Sequence, residues 1–245
     1  MATELTTRDV AAPAQCWSCG DMRAAHFCES CGKVQPPAPT DYFSYFGLPR
    51  KLNIDTAQLE REFYRLSRKL HPDLYARASE QEQEWSTERS SLLNDAYRTL
   101  RDPVARTEYL LKLEGVQLEE QSKAATDRAR ESGGEKKQVV PPELLEEVFE
   151  LNMQLQELKL SKQMGEAADE RVVRDLTAAK QGFEARLSGL DQRLQQTWAA
   201  WDERSGQRHE GDAESRKALE AMVEVLNTRS YIRNLVRDVN AALEA

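Results

Sequence analysis

All four cysteines of the 245-residue chain fall within sixteen positions, as Cys16-x2-Cys19 and Cys28-x2-Cys31, with a glycine (Gly20, Gly32) directly after each pair. Glycine tolerates a positive φ, so the chain can turn back and aim backbone amides at the preceding thiolates. Two such knuckles present four sulfurs tetrahedrally, and an all-sulfur set of four is a closed, structural metal site. So short a segment cannot bury a core, whereas structural zinc contributes on the order of 10–16 kcal/mol that is inseparable from folding. Zinc is therefore the favoured metal. Iron in a four-sulfur site, a two-iron cluster and a disulfide pair stay open as alternatives. Trp17 and Phe27 are expected to pack over the metal. His26, between the pairs, could replace a thiolate, but four cysteines make that unnecessary.

A second group with chemical potential is His71-Pro72-Asp73. The imidazole could act as a general base, yet no serine, cysteine or second histidine accompanies it, and the remaining histidines are His26 and His209. No enzyme is indicated. The tripeptide instead follows a charged stretch: residues 59–70 carry Arg61, Arg65, Arg68 and Lys69 against Glu60 and Glu62. Residues 143–157 have the opposite balance, with Glu143, Glu146, Glu147, Glu150 and Glu157 and no lysine or arginine. Two surfaces of opposite sign suggest two different partners.

The elements that must position these groups read as helices. Pro36, Pro37 and Pro39 form a stiff linker over 33–40 that ends the metal module at 16–32. Asp41-Tyr42-Phe43-Ser44-Tyr45-Phe46 before Gly47 is a short helix with a glycine stop. Asp55 opens a second helix, with Gln58 as its capping partner. In that helix Leu59, Phe63, Leu66 and Leu70 recur as a buried stripe, while Arg61, Arg65 and Arg68 share another face. It must end at His71, because the residue before proline is pushed out of the α region. A third helix over 80–100 has Leu92, Leu93, Ala96, Tyr97 and Leu100 as its core face, which completes a hairpin with the tripeptide at its exposed tip. A polar linker is expected over 116–142 and flexible chain over 1–15. Three helical patterns follow at 143–164, 166–204 and 212–244, with a break near Ser205-Gly206 and Gly211. In the first, Leu144, Val148, Leu151, Leu155 and Leu158 make one stripe and Leu145, Phe149 and Met153 another. Periodicity leaves open whether these are one broad core sector or two separate faces.

Composition supports this reading. Two isoleucines and thirteen valines are too few for a buried parallel sheet, and the eleven glycines form no dinucleotide-binding cluster. No apolar run reaches the roughly 18 residues of a membrane span. The net charge of −8 disfavours a nucleic-acid partner. Residues 1–15, with Glu4, Asp9 and no apolar core, resemble neither a secretory signal nor a transit peptide. A soluble protein of a bacterial-type cytoplasm is expected in preference to one of the mitochondrial matrix.

The short aromatic helix, the basic second helix, His71-Pro72-Asp73 and Asn94-Asp95-Ala96-Tyr97 together resemble a J domain, here 41–115. The order of segments, with Arg98-Thr99-Leu100, Arg106 and Tyr109-Leu110-Leu111 before Gly115, resembles the HscB family of iron–sulfur cluster co-chaperones, and the tetracysteine extension resembles its longer, eukaryotic-type members. The resemblance implies a mostly α protein: a zinc knuckle, a J domain and a C-terminal three-helix bundle over 143–245. It implies that Arg61, Arg65, Arg68 and Lys69 dock on an HscA/DnaK-type ATPase chaperone, with His71, Pro72 and Asp73 as the trigger. It also implies that Leu145, Phe149, Glu150, Met153, Glu157 and Tyr231 bind an IscU-type cluster scaffold. Glu146 stands where that family has an apolar residue, Met153 where it has an acidic one, and Leu74 where many J proteins have lysine. A general J-protein adaptor that delivers another client through the metal module or the bundle is the alternative. Whether the knuckle also pairs two copies into a homodimer is open.

Overall fold

The structure is a computed structural model that describes residues 15–22, 25–116, 118, 141–165, 167, 169–203 and 213–244. The expected break near Ser205-Gly206 and Gly211, nearly all of the flexible N-terminus and most of the polar linker lie outside these residues. The described residues contain seven α-helices and a single isolated bridge, Phe27 to Val34. The chain divides into two compact units, one running up to Leu110 and one from Leu111 onward.

In the first unit, α1 (Tyr42–Tyr45) starts at Asp41, whose carboxylate accepts from the Ser44 amide at 2.9 Å and from Arg50 at 2.8 Å. The next helix, α2 (Thr56–Leu70), is capped by Asp55, which accepts from the Gln58 amide. Its stripe is buried as the spacing predicts: Leu59, Leu66 and Leu70 are all essentially inaccessible, and half-buried Phe63 stacks on Tyr97 at 4.1 Å. After a 3-10 turn (Pro72–Tyr75), α3 (Glu80–Arg101) opens with a reciprocal capping box between Ser79 and Glu82. Three α3 positions the spacing did not mark, Glu82, Ser86 and Arg89, are also buried, and all three hold other segments in place. The last helix to contribute to this unit, α4 (Pro103–Leu113), lays Tyr109 on Tyr42 at 4.3 Å, with its hydroxyl accepting from the Tyr42 amide.

The second unit is a three-helix bundle of α5 (Leu145–Gln163), α6 (Glu170–Asp202) and α7 (Ala213–Glu244). Its long pair is antiparallel: Asp191 accepts from Arg229 and Glu224 from Arg193, so the partner number falls as the first rises. Leu144, Val148, Leu151, Leu155 and Leu158 close the core against Val172, Leu176 and Phe183 of α6 and Ile232, Leu235 and Val239 of α7. Each such leucine removed from water contributes roughly 1.5–3 kcal/mol. Lys162 donates to the carbonyl of Ala242 at 2.7 Å, which ties the end of α5 to the last turn of α7. Among the described residues, no helix is long and apolar enough to cross a membrane.

Burial opposes ionisation of Asp41, but the Ser44 amide and the Arg50 guanidinium outweigh it and hold its carboxyl below the ordinary range. The unfolded chain therefore binds this proton more readily than the native one, and the stabilisation is present above about pH 4 and lost below it. Asp41→Asn should lower stability by about 1 kcal/mol at pH 7, and its difference from wild type should shrink in denaturant titrations repeated below pH 4.

Candidate functional site

The two cysteine knuckles repeat one backbone pattern twelve residues apart. The amide of Cys16 donates to Asp21 and that of Gly20 to the Cys16 carbonyl; Cys28, Lys33 and Gly32 do the same. Gly20 and Gly32 have φ of +78° and +72°, the left-handed conformation anticipated for them. The four sulfurs lie within 4.8 Å of one another, with Cys16 to Cys31 at 3.7 Å and Cys19 to Cys28 at 3.6 Å. A tetrahedral site with metal–sulfur bonds of about 2.3 Å has sulfur–sulfur edges of about 3.8 Å, so the donor set fits a four-sulfur metal ion. The first cysteine of each knuckle is buried and the second exposed. Burial opposes ionisation of Cys16, yet the Cys19 and Ser18 amides and the neighbouring thiols pull it down to about 6. His26 is not part of the cluster: its Nε2 donates to the Tyr45 carbonyl at 2.8 Å, and its Nδ1 accepts from Arg89 at 2.9 Å. Burial, reinforced by the Arg89 charge, pushes the imidazole down to about 4 and keeps it neutral.

The segment after the second knuckle is held closely against the helices. Arg89 of α3 donates to the carbonyls of Gln35 and Pro36, both at 2.7 Å, as well as to His26. Lys33 pairs with buried Glu82 at 2.7 Å. The aromatic rings expected over the metal make their ring contacts with the helices: Trp17 meets Trp85 edge-on at 5.7 Å, and Phe27 lies 5.6 Å from the Arg65 guanidinium and 5.9 Å from the Lys69 ammonium.

His71-Pro72-Asp73 sits at the tip of the α2–α3 hairpin. Two side chains fix its root by donating to backbone carbonyls: Ser86 to that of Leu70 at 2.8 Å and Tyr75 to that of Lys69 at 3.0 Å. They satisfy the orphan carbonyls that end α2. The imidazole of His71 accepts from the Asp73 amide at 3.3 Å, which closes the turn. The carboxylate of Asp73 is 89% exposed, and the adjoining Leu74 is also exposed. Arg61, Arg65, Arg68 and Lys69 are all exposed, the three arginines on the side of α2 away from its core stripe and Lys69 at the flank.

On α5 the open question about its two stripes is settled. Leu144, Val148, Leu151, Leu155 and Leu158 are buried, whereas Leu145, Phe149 and Met153 are 55%, 67% and 57% exposed. At 100° per residue the two sets are centred roughly 140° apart, so this helix is apolar on two well-separated faces. Leu160 and Met164, which the sequence reading missed, are exposed and continue the same outer stripe. Their spacing from Phe149 and Met153 was the signal available. Glu146, Glu150 and Glu157 edge the stripe and are exposed. Tyr231 does not join this face. It is 8% exposed in the bundle core, and burial raises its hydroxyl pKa.

Comparison with known proteins agrees with this geometry. The DnaJ domain family matches residues 41–109. The mouse iron–sulfur cluster co-chaperone protein HscB is 35% identical over 175 residues, 69% of this chain and 67% of the mouse protein. The crystal structure of the human co-chaperone protein HscB superposes with a TM-score of 0.60 at 25% identity, covering 93% of this chain and 97% of the human one. The solved structure of chaperone HscB from Vibrio cholerae gives 0.55 at 25% identity, covering 83% of this chain and 98% of that one. A J domain with an exposed His-Pro-Asp tip, a four-cysteine cluster before it and a helical bundle after it, on a chain this similar to the mouse protein, place the chain in the HscB family of J-domain co-chaperones of iron–sulfur cluster assembly.

Proposed function

We propose that this chain brings an HscA/DnaK-type ATPase chaperone and an IscU-type cluster scaffold together, with the J domain engaging the first and the bundle the second. The observation that carries the reading is the exposure of Asp73 at the end of a helix whose four cations all lie on its solvent face. These cations steer association with an acidic surface, an effect that weakens with salt. Pro72 fixes the turn and His71 closes it. That leaves the Asp73 carboxylate, 3.5 Å from the His71 Nδ1, exposed and ready to accept charge-assisted hydrogen bonds from the chaperone. The chain stimulates hydrolysis performed by its partner and carries no bond-breaking step itself.

The scaffold site is the outer stripe of α5. Leu145, Phe149 and Met153 supply apolar area, and Glu150 and Glu157 supply charge at its edge. A contiguous run of exposed large apolar side chains is uncommon on a monomer and marks a protein-binding surface. Tyr231 is left out of this surface because it is part of the core. Zinc, held by Cys16, Cys19, Cys28 and Cys31, would supply structural cross-linking of the knuckles.

In single-turnover assays, Asp73→Asn should abolish stimulation of the partner ATPase while leaving scaffold affinity intact; full stimulation by the variant would refute the trigger assignment. Leu145→Ala with Phe149→Ala should weaken scaffold binding at least tenfold without lowering the melting temperature, since both side chains are exposed. Elemental analysis of the purified chain should give one zinc per molecule and no iron.

A further inference from the structure

The basic face of α2 is not the work of α2 alone. Arg68 is arranged by its own helix, donating its Nε to the Tyr64 carbonyl one turn back. Arg65 and Lys69, on the flank of the same face, instead lie against Phe27, the residue that immediately precedes the metal-ligating Cys28. Arg65 is held from two sides, by the Phe27 ring and by Glu62 through contacts of 2.6 and 2.8 Å. The four cations all remain exposed, so the metal module orders Arg65 and Lys69 without covering them. An ordered long side chain loses less rotamer entropy when a partner docks. Phe27 cannot move freely, because Cys28 is fixed in the cluster on one side and His26 is fixed between Tyr45 and Arg89 on the other.

We infer that the metal-loaded tetracysteine module is a working part of the chaperone-docking face: Phe27 is a positioning residue that presents Arg65 and Lys69, and metal loss relaxes those two cations. This rests on the docking assignment made above and adds its regulation. A binding surface set partly by a four-cysteine site responds to metal supply. The half of the basic face that α2 organises by itself does not.

The test measures dissociation constants of the full-length chain for its ATPase chaperone, metal-loaded and after chelation. Hydrogen exchange of residues 61–70 provides a second readout. Phe27→Leu keeps apolar volume beside Cys28 but removes the aromatic face, and should weaken binding about two- to fivefold. Lys69→Met should weaken the metal-loaded protein and have little further effect on the Phe27→Leu or metal-stripped protein. Arg61→Met should weaken all three equally. Exchange over 61–70 should quicken on metal removal, while scaffold affinity stays constant. Equal effects of Lys69→Met with and without metal, together with unchanged exchange, would overturn the inference. Asp73→Asn run alongside separates the two ideas: if it stimulates normally, the docking assignment has failed, whereas loss of stimulation with a metal-independent Lys69 refutes only the coupling.

Discussion

A single buried guanidinium organises the first half of this molecule. Among the described residues Arg89 donates to the Gln35 and Pro36 carbonyls and to the unprotonated nitrogen of His26, dipoles that solvate its charge in place of a carboxylate. A buried charge without such partners would cost several kcal/mol, so each acceptor must stay where it is. Those acceptors belong to the segment that leaves the second cysteine knuckle. The Arg89 carbonyl in turn receives the hydroxyl of Tyr45 from α1, whose own carbonyl accepts from His26. One residue of α3 thereby joins the metal module to α1, and residues 33–36, at the start of the expected linker, form a packed strap.

That arrangement changes what the cysteine cluster means for the protein. A free-standing zinc knuckle stabilises itself; a knuckle latched to a helical hairpin also sets the side chains it touches. The salt bridge from Lys33 to buried Glu82 and the edge contact of Trp17 with Trp85 extend the latch along α3. The tip of the hairpin is secured separately, by Ser86 and Tyr75 on the terminal carbonyls of α2. The protein therefore holds its tripeptide and its flanking cations by different contacts, and the two can respond to different conditions.

The bundle uses a simpler principle. A helix on the outside of a three-helix bundle buries one stripe, and polar residues normally cover the other. Here α5 keeps large apolar side chains on both sides, from Leu145 to Met164, and rims the outer one with glutamates. Exposed apolar area of this kind is unusual on a soluble surface and is the basis of the scaffold site proposed above, and the glutamates keep its rim hydrated. The core stripe would satisfy folding by itself.

Much of this was written in local pattern. Two C-x2-C-G repeats, a proline after His71, the caps at Asp41 and Asp55, and the 3.6-residue spacing of Leu59, Leu66 and Leu70 are short-range signals. They fix the metal knuckles, the end of the basic helix and its buried face before any tertiary contact forms. Periodicity also found both stripes of α5, but it could not tell a second core face from an exposed one. That distinction depends on where α6 and α7 lie. Tyr231, which the family resemblance places among the scaffold-binding residues, lies in the bundle core, because an aromatic on a long helix carries no mark of which neighbour it meets. Arg89, Ser86 and Gln35 were invisible because nothing in the spacing of a charged or polar residue says which distant carbonyl or amide will need it. Short-range stereochemistry decided the elements and the cluster, and long-range desolvation decided which side chains hold them together and which remain free to bind.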